Sequence, residues 1–207
     1  MCDLVDQEPT SYEEAAQKKK WVEAMTEEYQ SIMKNDVWDI VPKRENKSVA
    51  SSKWIYKIKH VADGSIERYE AIFVARGFYQ KEGIDYEWTF SPVERYTSIR
   101  TIMTLDSMMK WDIHQMDVKR TFLNGVIEED VYIEQLQGFE VKERVNHVCK
   151  LKKALYGLKK APRAWYGRID SLLTSMGFTK SKDDPNIYMK IMDVNQSYYY
   201  RMWMIYF

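Results

Sequence analysis

Cysteine is almost missing from this chain: Cys2 and Cys149 are the two present in 207 residues. That is too few for a disulfide framework and suits a reducing compartment. Net charge is missing as well. Lys plus Arg and Asp plus Glu number 31 each, so no overall field draws in a polyanion, and any phosphate-backbone binding falls to local patches. No apolar run approaches the length of a membrane span. The start, Met1-Cys2-Asp3-Leu4-Val5-Asp6, is acidic rather than basic and does not read as a secretory signal. A soluble intracellular protein is expected. The sequence has no phosphate-cradling glycine loop, no GxSxG elbow and no dinucleotide fingerprint, which leaves nucleophile-based hydrolysis without support. CxxC and HxxxH spacings are lacking too. His147 and Cys149 share a strand face, but His60 and His114 are distant in sequence, so a structural metal site is not expected.

What the chain does have is aromatic and sulfur-bearing bulk, with 15 Tyr, 7 Trp and 12 Met. These are large anchors for a core or a groove. Ser11-Tyr12-Glu13-Glu14 has the spacing of a capping box. Val22, Met25, Tyr29, Ile32 and Met33 recur at helical steps behind it, so a helix is predicted over 12–34. A short strand over 37–41 stops at Pro42, and 43–52 reads as loop. Residues 53–60 alternate, with Trp54, Tyr56 and Ile58 on one face and mainly lysines on the other. Asp63-Gly64 signals a hairpin returning over 66–76. A loop over 77–95 precedes a helix over 97–110. Strands are predicted over 112–118, 131–133 and 148–151, and a helix over 161–176 with Pro162 in its first turn and Gly177 beyond its end. Residues 186–192 and 198–207 are β-rich by composition. With no repeat and no low-complexity linker, the mixture reads as α+β.

Candidate chemistry centres on His114-Gln115-Met116-Asp117-Val118 and the following Phe122-Leu123-Asn124-Gly125. In a strand, Ile113, Gln115 and Asp117 share a face, and a carboxylate ending that row can hold a metal. A strand-end aspartate serves equally well as a turn or cap acceptor. Glu128-Glu129-Asp130 tempts towards paired-carboxylate acid–base work, but it follows Gly125 in a turn-like stretch and reads as a solvated loop. Lys152, Lys153, Lys159, Lys160 and Arg163 form a basic cluster interleaved with Leu155, Tyr156 and Trp165. Such a cluster binds phosphate or a single strand, or else forms a solvated face.

Several strings, in this order, together resemble the reverse transcriptase of copia-type retrotransposons. They are Trp54-Ile55-Tyr56-Lys57 with Asp63-Gly64-Ser65, Val74-Ala75-Arg76-Gly77-Phe78, Gly83-Ile84-Asp85-Tyr86 and Thr89-Phe90-Ser91-Pro92-Val93. Gln115-Met116-Asp117-Val118, Phe122-Leu123-Asn124-Gly125, Leu155-Tyr156-Gly157-Leu158-Lys159 and Pro162-Arg163-Ala164-Trp165 complete the set. The resemblance covers residues 8 to 188, nearly the whole chain. It implies a right-hand polymerase: an N-terminal tail over 1–10, then fingers and a partial palm over 11–207, without thumb or ribonuclease H. It further implies that Asp117 is the first catalytic aspartate, holding Mg2+ (or Mn2+) with help from the Val118 carbonyl. Phe122 would lie beneath the nucleotide sugar and exclude a 2′-hydroxyl. Thr121, Arg120 and Lys160 would lie beside the nucleotide, and Lys159, Arg163 and Trp165 beside the template–primer. The implied partners are an RNA or DNA template–primer, a deoxynucleoside triphosphate and the remainder of a Pol polyprotein, with no membrane. The implied location is the cytoplasm, in virus-like particles for the intact family, or the nucleus.

Departures from the family pattern argue against present catalysis. The family's Lys-Ala-Arg is Glu70-Ala71-Ile72 here, so a negative and an apolar side chain replace two cations that would meet a triphosphate. The family's Thr-Ala is Arg120-Thr121, and its Leu-Lys-Gln is Leu158-Lys159-Lys160. Leu136, Trp88, Glu94 and Asp106 depart as well. The Tyr-Val-Asp-Asp hairpin should come just beyond Phe207, and one aspartate cannot fix two cations about 4 Å apart. The expectation is a truncated fingers-and-palm fragment, inactive alone, with an unpaired apolar edge over 198–207. Two alternatives stand beside it: a non-catalytic module that binds nucleic acid or a partner, and an unselected relic that folds poorly.

Overall fold

Ser11 opens the first helix as the capping-box spacing requires. Its hydroxyl accepts the Glu14 N–H at 3.2 Å, and the Glu14 carboxylate accepts the Thr10 N–H at 3.0 Å. The computed structural model describes residues 7–45, 47–77, 91–93, 95–110, 113–114, 116–194 and 197–204, with side chains as far as 191. Over these residues the chain is a mixed α+β fold. The helix predicted over 12–34 is two helices, α1 (Tyr12–Ala16) and α2 (Lys19–Lys34), because Lys18 adopts an extended conformation between them. Trp21, Ala24, Met25, Glu28, Ser31 and Ile32 form the buried stripe of α2.

Strand β1 (Trp38–Pro42) pairs antiparallel with β6 (His147–Leu151), and β6 pairs with β5 (Tyr132–Ile133). The segment predicted as loop over 43–52 contains one more strand, β2 (Val49–Ala50), added parallel to β5. Two residues are too few for a periodic signal, and the pairing arises from a strand about 80 positions away in sequence. The hairpin of β3 (Ser52–His60) and β4 (Ile66–Ala75) forms as predicted, with Gly64 at φ +87 in its turn and the Asp63 carboxylate accepting the Ser65 N–H at 2.8 Å. Trp54, Tyr56, Ala71 and Phe73 face inward from the hairpin. Trp21 of α2 stands edge-on to Tyr56 and Tyr69, with ring centroids 5.4 and 5.0 Å away, and these rings seat α2 across the hairpin. Glu8 fixes the segment before α1 by accepting the Ile58 N–H at 2.8 Å.

Beyond this main core lie α3 (Tyr96–Met109), α4 (Ala161–Ser175) and a three-stranded sheet of β7 (Thr179–Lys180), β8 (Ile187–Val194) and β9 (Ser197–Met204). A second, smaller cluster of Leu173, Phe178 and Tyr188 joins α4 to that sheet. The Tyr188 hydroxyl donates to Asp170 at 2.6 Å, and burial with this bond pushes its ionisation up. Ser98 ties α3 to the chain before β8 by a 2.5 Å bond to Asp184.

The strand predicted over 112–118 is corrected in part. Ile113, His114, Met116, Asp117 and Val118 belong to no strand, while Asp112 and Gln115 lie outside the described residues. All five are exposed, so no buried face fixes a ladder register there. Most of the loop predicted over 77–95, including Gly83-Ile84-Asp85-Tyr86, Trp88 and Glu94, also lies outside the described residues. No helix among the described residues is long and apolar enough to cross a membrane.

Candidate functional site

Three of the strings singled out in the sequence meet around Tyr156. The loop after β6 docks on the end of β4: the Ala75 N–H donates to the Tyr156 carbonyl at 2.9 Å, and Val74 and Tyr156 form a parallel bridge. The next residue must be glycine for two reasons. Gly157 sits at φ +85, and a Cβ there would lie 2.1 Å from the Ala75 carbonyl oxygen.

The segment from Asp117 to Gly125 approaches from the other side. Residues Thr121–Asn124 make a 3-10 turn, entered through Arg120 at φ +53 and anchored by the fully buried Leu123. The Thr121 hydroxyl donates to the Val118 carbonyl at 2.6 Å. Phe122 meets Tyr156 edge-on, with centroids 5.0 Å apart and planes at 75°. Gly125 then passes so close to α4 that a Cβ would lie 2.8 Å from the Ala164 carbonyl carbon and the Trp165 nitrogen. Phe122, Tyr156 and the first turn of α4 are thereby held together by contacts with little room to adjust.

Charge gathers at the same place. Glu28 of α2 is 5 % exposed, and its Oε2 accepts from the Arg120 Nε at 3.2 Å. Burial holds the Glu28 carboxyl above its ordinary range; Arg120 and the Phe73 backbone N–H oppose this, and Glu70 adds to it. Arg120 also reaches Glu27 at 3.5 Å. The Tyr156 phenol is raised first by burial and then by the fields of Glu28, Glu70 and Asp117, with Arg120 opposing. Glu70 pairs with Arg68 at 3.1 Å and Lys59 at 3.7 Å.

The remaining candidates fall in different environments. Asp117 and Val118 are exposed at the start of the turn, and Lys159 and Arg163 are exposed near the start of α4. Lys160 pairs with Glu129, so the Glu128–Asp130 stretch is more than a solvated loop; Asp130 also holds Lys150 at 2.7 Å and Lys47 at 3.2 Å. Lys152 is taken by Asp36 at 2.5 Å and Asp39 at 3.0 Å. Trp165 is 6 % exposed, which makes it a packing residue where a stacking platform was expected. Cys149 is buried and its thiol is pushed up to about 12, so it has no nucleophilic role. Sequence reasoning missed Glu28. Its signal was available: a carboxylate on the apolar stripe of an amphipathic helix, in step with Ala24 and Ile32.

Asp117 is a single carboxylate, Glu28 is engaged by Arg120, and Glu70 is engaged by two cations. The described residues therefore do not fit a pair of divalent ions, and no group of three or more His, Cys, Asp or Glu among them could hold one.

Comparison with known proteins gives a consistent result. The family described as reverse transcriptase (RNA-dependent DNA polymerase) matches residues 35–198. The retrovirus-related Pol polyprotein from transposon TNT 1-94 of Nicotiana tabacum is 42 % identical over 193 residues, covering 92 % of this chain and 14 % of that protein. The corresponding polyprotein from transposon RE1 of Arabidopsis thaliana is 41 % identical over 185 residues, covering 89 % of this chain and 13 % of that protein. The transposon Ty1-DR5 Gag-Pol polyprotein of Saccharomyces cerevisiae is 29 % identical over 177 residues, covering 81 % of this chain and 9 % of that protein. The chain thus spans 14 % or less of the length of these relatives. No solved structure matches. With the family covering most of its length and the plant Pol polyproteins matching nearly all of it, the chain belongs to the copia-type reverse transcriptase (RNA-dependent DNA polymerase) family.

Proposed function

We propose that this chain forms the fingers and part of the palm of a copia-type RNA-directed DNA polymerase, and that these 207 residues do not polymerise DNA unaided. One observation carries the assignment: Phe122, Tyr156 and the end of β4 converge through the contacts at Gly125 and Gly157. The Phe122 ring, Tyr156 and the end of β4 are neighbours there, and Asp117 is near enough for its charge to act on the Tyr156 phenol. Phe122, with its edge fixed by Tyr156, presents a ring against which a deoxyribose packs and a 2′-hydroxyl collides. Thr121 holds the Val118 carbonyl. Arg120 and Lys160 have their charges committed to Glu28 and Glu129. Divalent metal would supply charge stabilisation of nucleotidyl transfer in the complete enzyme. The carboxylates present here do not make up the set that such chemistry needs.

The purified 207-residue chain, given primer–template and deoxynucleotides with Mg2+ or Mn2+, is expected to show no primer extension. Template-dependent incorporation that vanishes in Asp117→Asn would overturn the proposal.

A second reading is favoured by the hairpin surface. Lys53 and Lys57 stand on its exposed face, whereas Lys59 is paired with Glu70, and Lys152 and Lys160 of the other basic cluster are held by carboxylates. Non-catalytic contact with a nucleic-acid backbone would therefore run through the hairpin.

A further inference from the structure

We propose that Glu28 and Arg120 are positioning residues, whose half-buried ion pair sets where the turn bearing Asp117 and Phe122 sits against α2. The inference rests on the functional reading above only in what the turn is for; the pair itself is geometric.

Arg120 stands at a boundary. Before it, Ile113, His114, Met116, Asp117 and Val118 are exposed and join no strand; after it, Leu123 is fully buried and Phe122 packs on Tyr156. The chain turns at Arg120 itself, through a left-handed conformation at φ +53 that a long side chain rarely adopts. The local bonds, from the Thr121 hydroxyl to Val118 and from the Asn124 amide to Arg120 and Thr121, shape the turn but do not attach it to anything. The Arg120–Glu28 bond attaches it across 92 positions to a helix that Trp21 seats on the hairpin.

Glu28 is suited to this because it cannot move to water. It lies on the buried stripe between Met25 and Ile32, and the backbone of the helix fixes its origin. The partner must be cationic: removing it would leave Glu28, Glu70 and Asp117 around Tyr156 with no opposing charge from this turn. An arginine also presents its Nε to Glu28 while its Nη2 reaches Glu27 at 3.5 Å, a fork that a lysine ammonium cannot copy. Arg120 and Thr121 stand where the resemblance has threonine and alanine, so this tie belongs to this chain rather than to the pattern.

The test is amide hydrogen exchange, followed by mass spectrometry, on the wild-type chain and on Arg120→Met, Glu28→Gln, the double variant and Arg120→Lys. Each single loss is expected to raise exchange across 117–124 at least tenfold while β3–β4 and the β1–β6 pair keep their protection. The double variant should add nothing further, and Arg120→Lys should restore part of the protection. A uniform rise in all segments would mean a purely structural role and would overturn the proposal. So would an unchanged turn, or additive single effects. If Arg120→Met does not fold, the isosteric Glu28→Gln decides alone by the same criteria. No polymerisation is measured, so a negative result here leaves the functional reading standing, and primer extension by the chain would leave this proposal standing.

Discussion

Two glycines with the same backbone sign separate strain from crowding. Gly64 sits at φ +87 with nothing within 4 Å of a built Cβ, while Gly157 sits at φ +85 with the Ala75 carbonyl 2.1 Å away. Gly64→Ala should cost about 1–2 kcal/mol, the left-handed penalty alone. Gly157→Ala should cost clearly more, because two backbones must separate; urea midpoints of the two variants make the comparison. Glu28 makes a pH prediction. Its folded-state ionisation lies above its ordinary value, so the protonated form is the one folding favours. Its contribution is therefore most favourable below the unfolded value of 4.5 and is lost as pH rises through the raised folded value. The wild-type minus Glu28→Gln stability difference should fall across that window. Asp63 and Asp130 run the other way, since backbone and lysine hydrogen bonds hold their carboxyls down. Their support is present above the unfolded value of 3.8 and fades as pH drops. Denaturation at a series of pH values distinguishes the two signs.

Among the elements, α2 carries the largest single anchor. Trp21 is fully buried between Tyr56 and Tyr69, whereas its neighbour Val22 is 40 % exposed. Trp21→Ala is expected to cost about 3–5 kcal/mol and to loosen α2 from the hairpin. Val22→Ala should stay within about 0.5 kcal/mol. Thermal unfolding followed by far-UV circular dichroism measures both, and equal effects would contradict the seating of α2 through its aromatic stripe. Elements with strong periodicity were legible in the sequence. The hairpin alternates through Trp54 and Tyr56, and α4 carries Pro162 in its first turn with Gly177 at φ +84 beyond its end. Elements without such a period were not. The two-residue β2 depends on β5 for its existence, and the break at Lys18 interrupts a stripe that reads as continuous. The segment around Asp117 carries alternating apolar residues but no burial, so composition suggested a strand that packing does not support.

For the whole molecule, zero net charge means that binding to nucleic acid depends on which cations remain available. If the hairpin face carries such binding, Lys53→Gln with Lys57→Gln should lower the salt slope for duplex by about 2. Lys152→Gln should leave it unchanged, because Asp36 and Asp39 already hold that ammonium. Filter binding over a salt series measures the slopes, and equal losses from both substitutions would exclude the hairpin as the favoured surface.

The family was determined by the sequence alone, because its motifs are contiguous strings whose order survives without coordinates. The capping box at Ser11, the hairpin turn at Gly64 and the site strings at Asp117, Phe122 and Tyr156 were all readable there, because each is encoded within a few neighbouring residues. Tertiary structure alone decided which charges remain in play. Arg120 is committed to Glu28, Lys160 to Glu129 and Lys152 to Asp36 and Asp39, and Trp165 is buried. A side chain's role is set by the partner that folding brings to it, and these partners lie from 31 to 116 positions away along the chain.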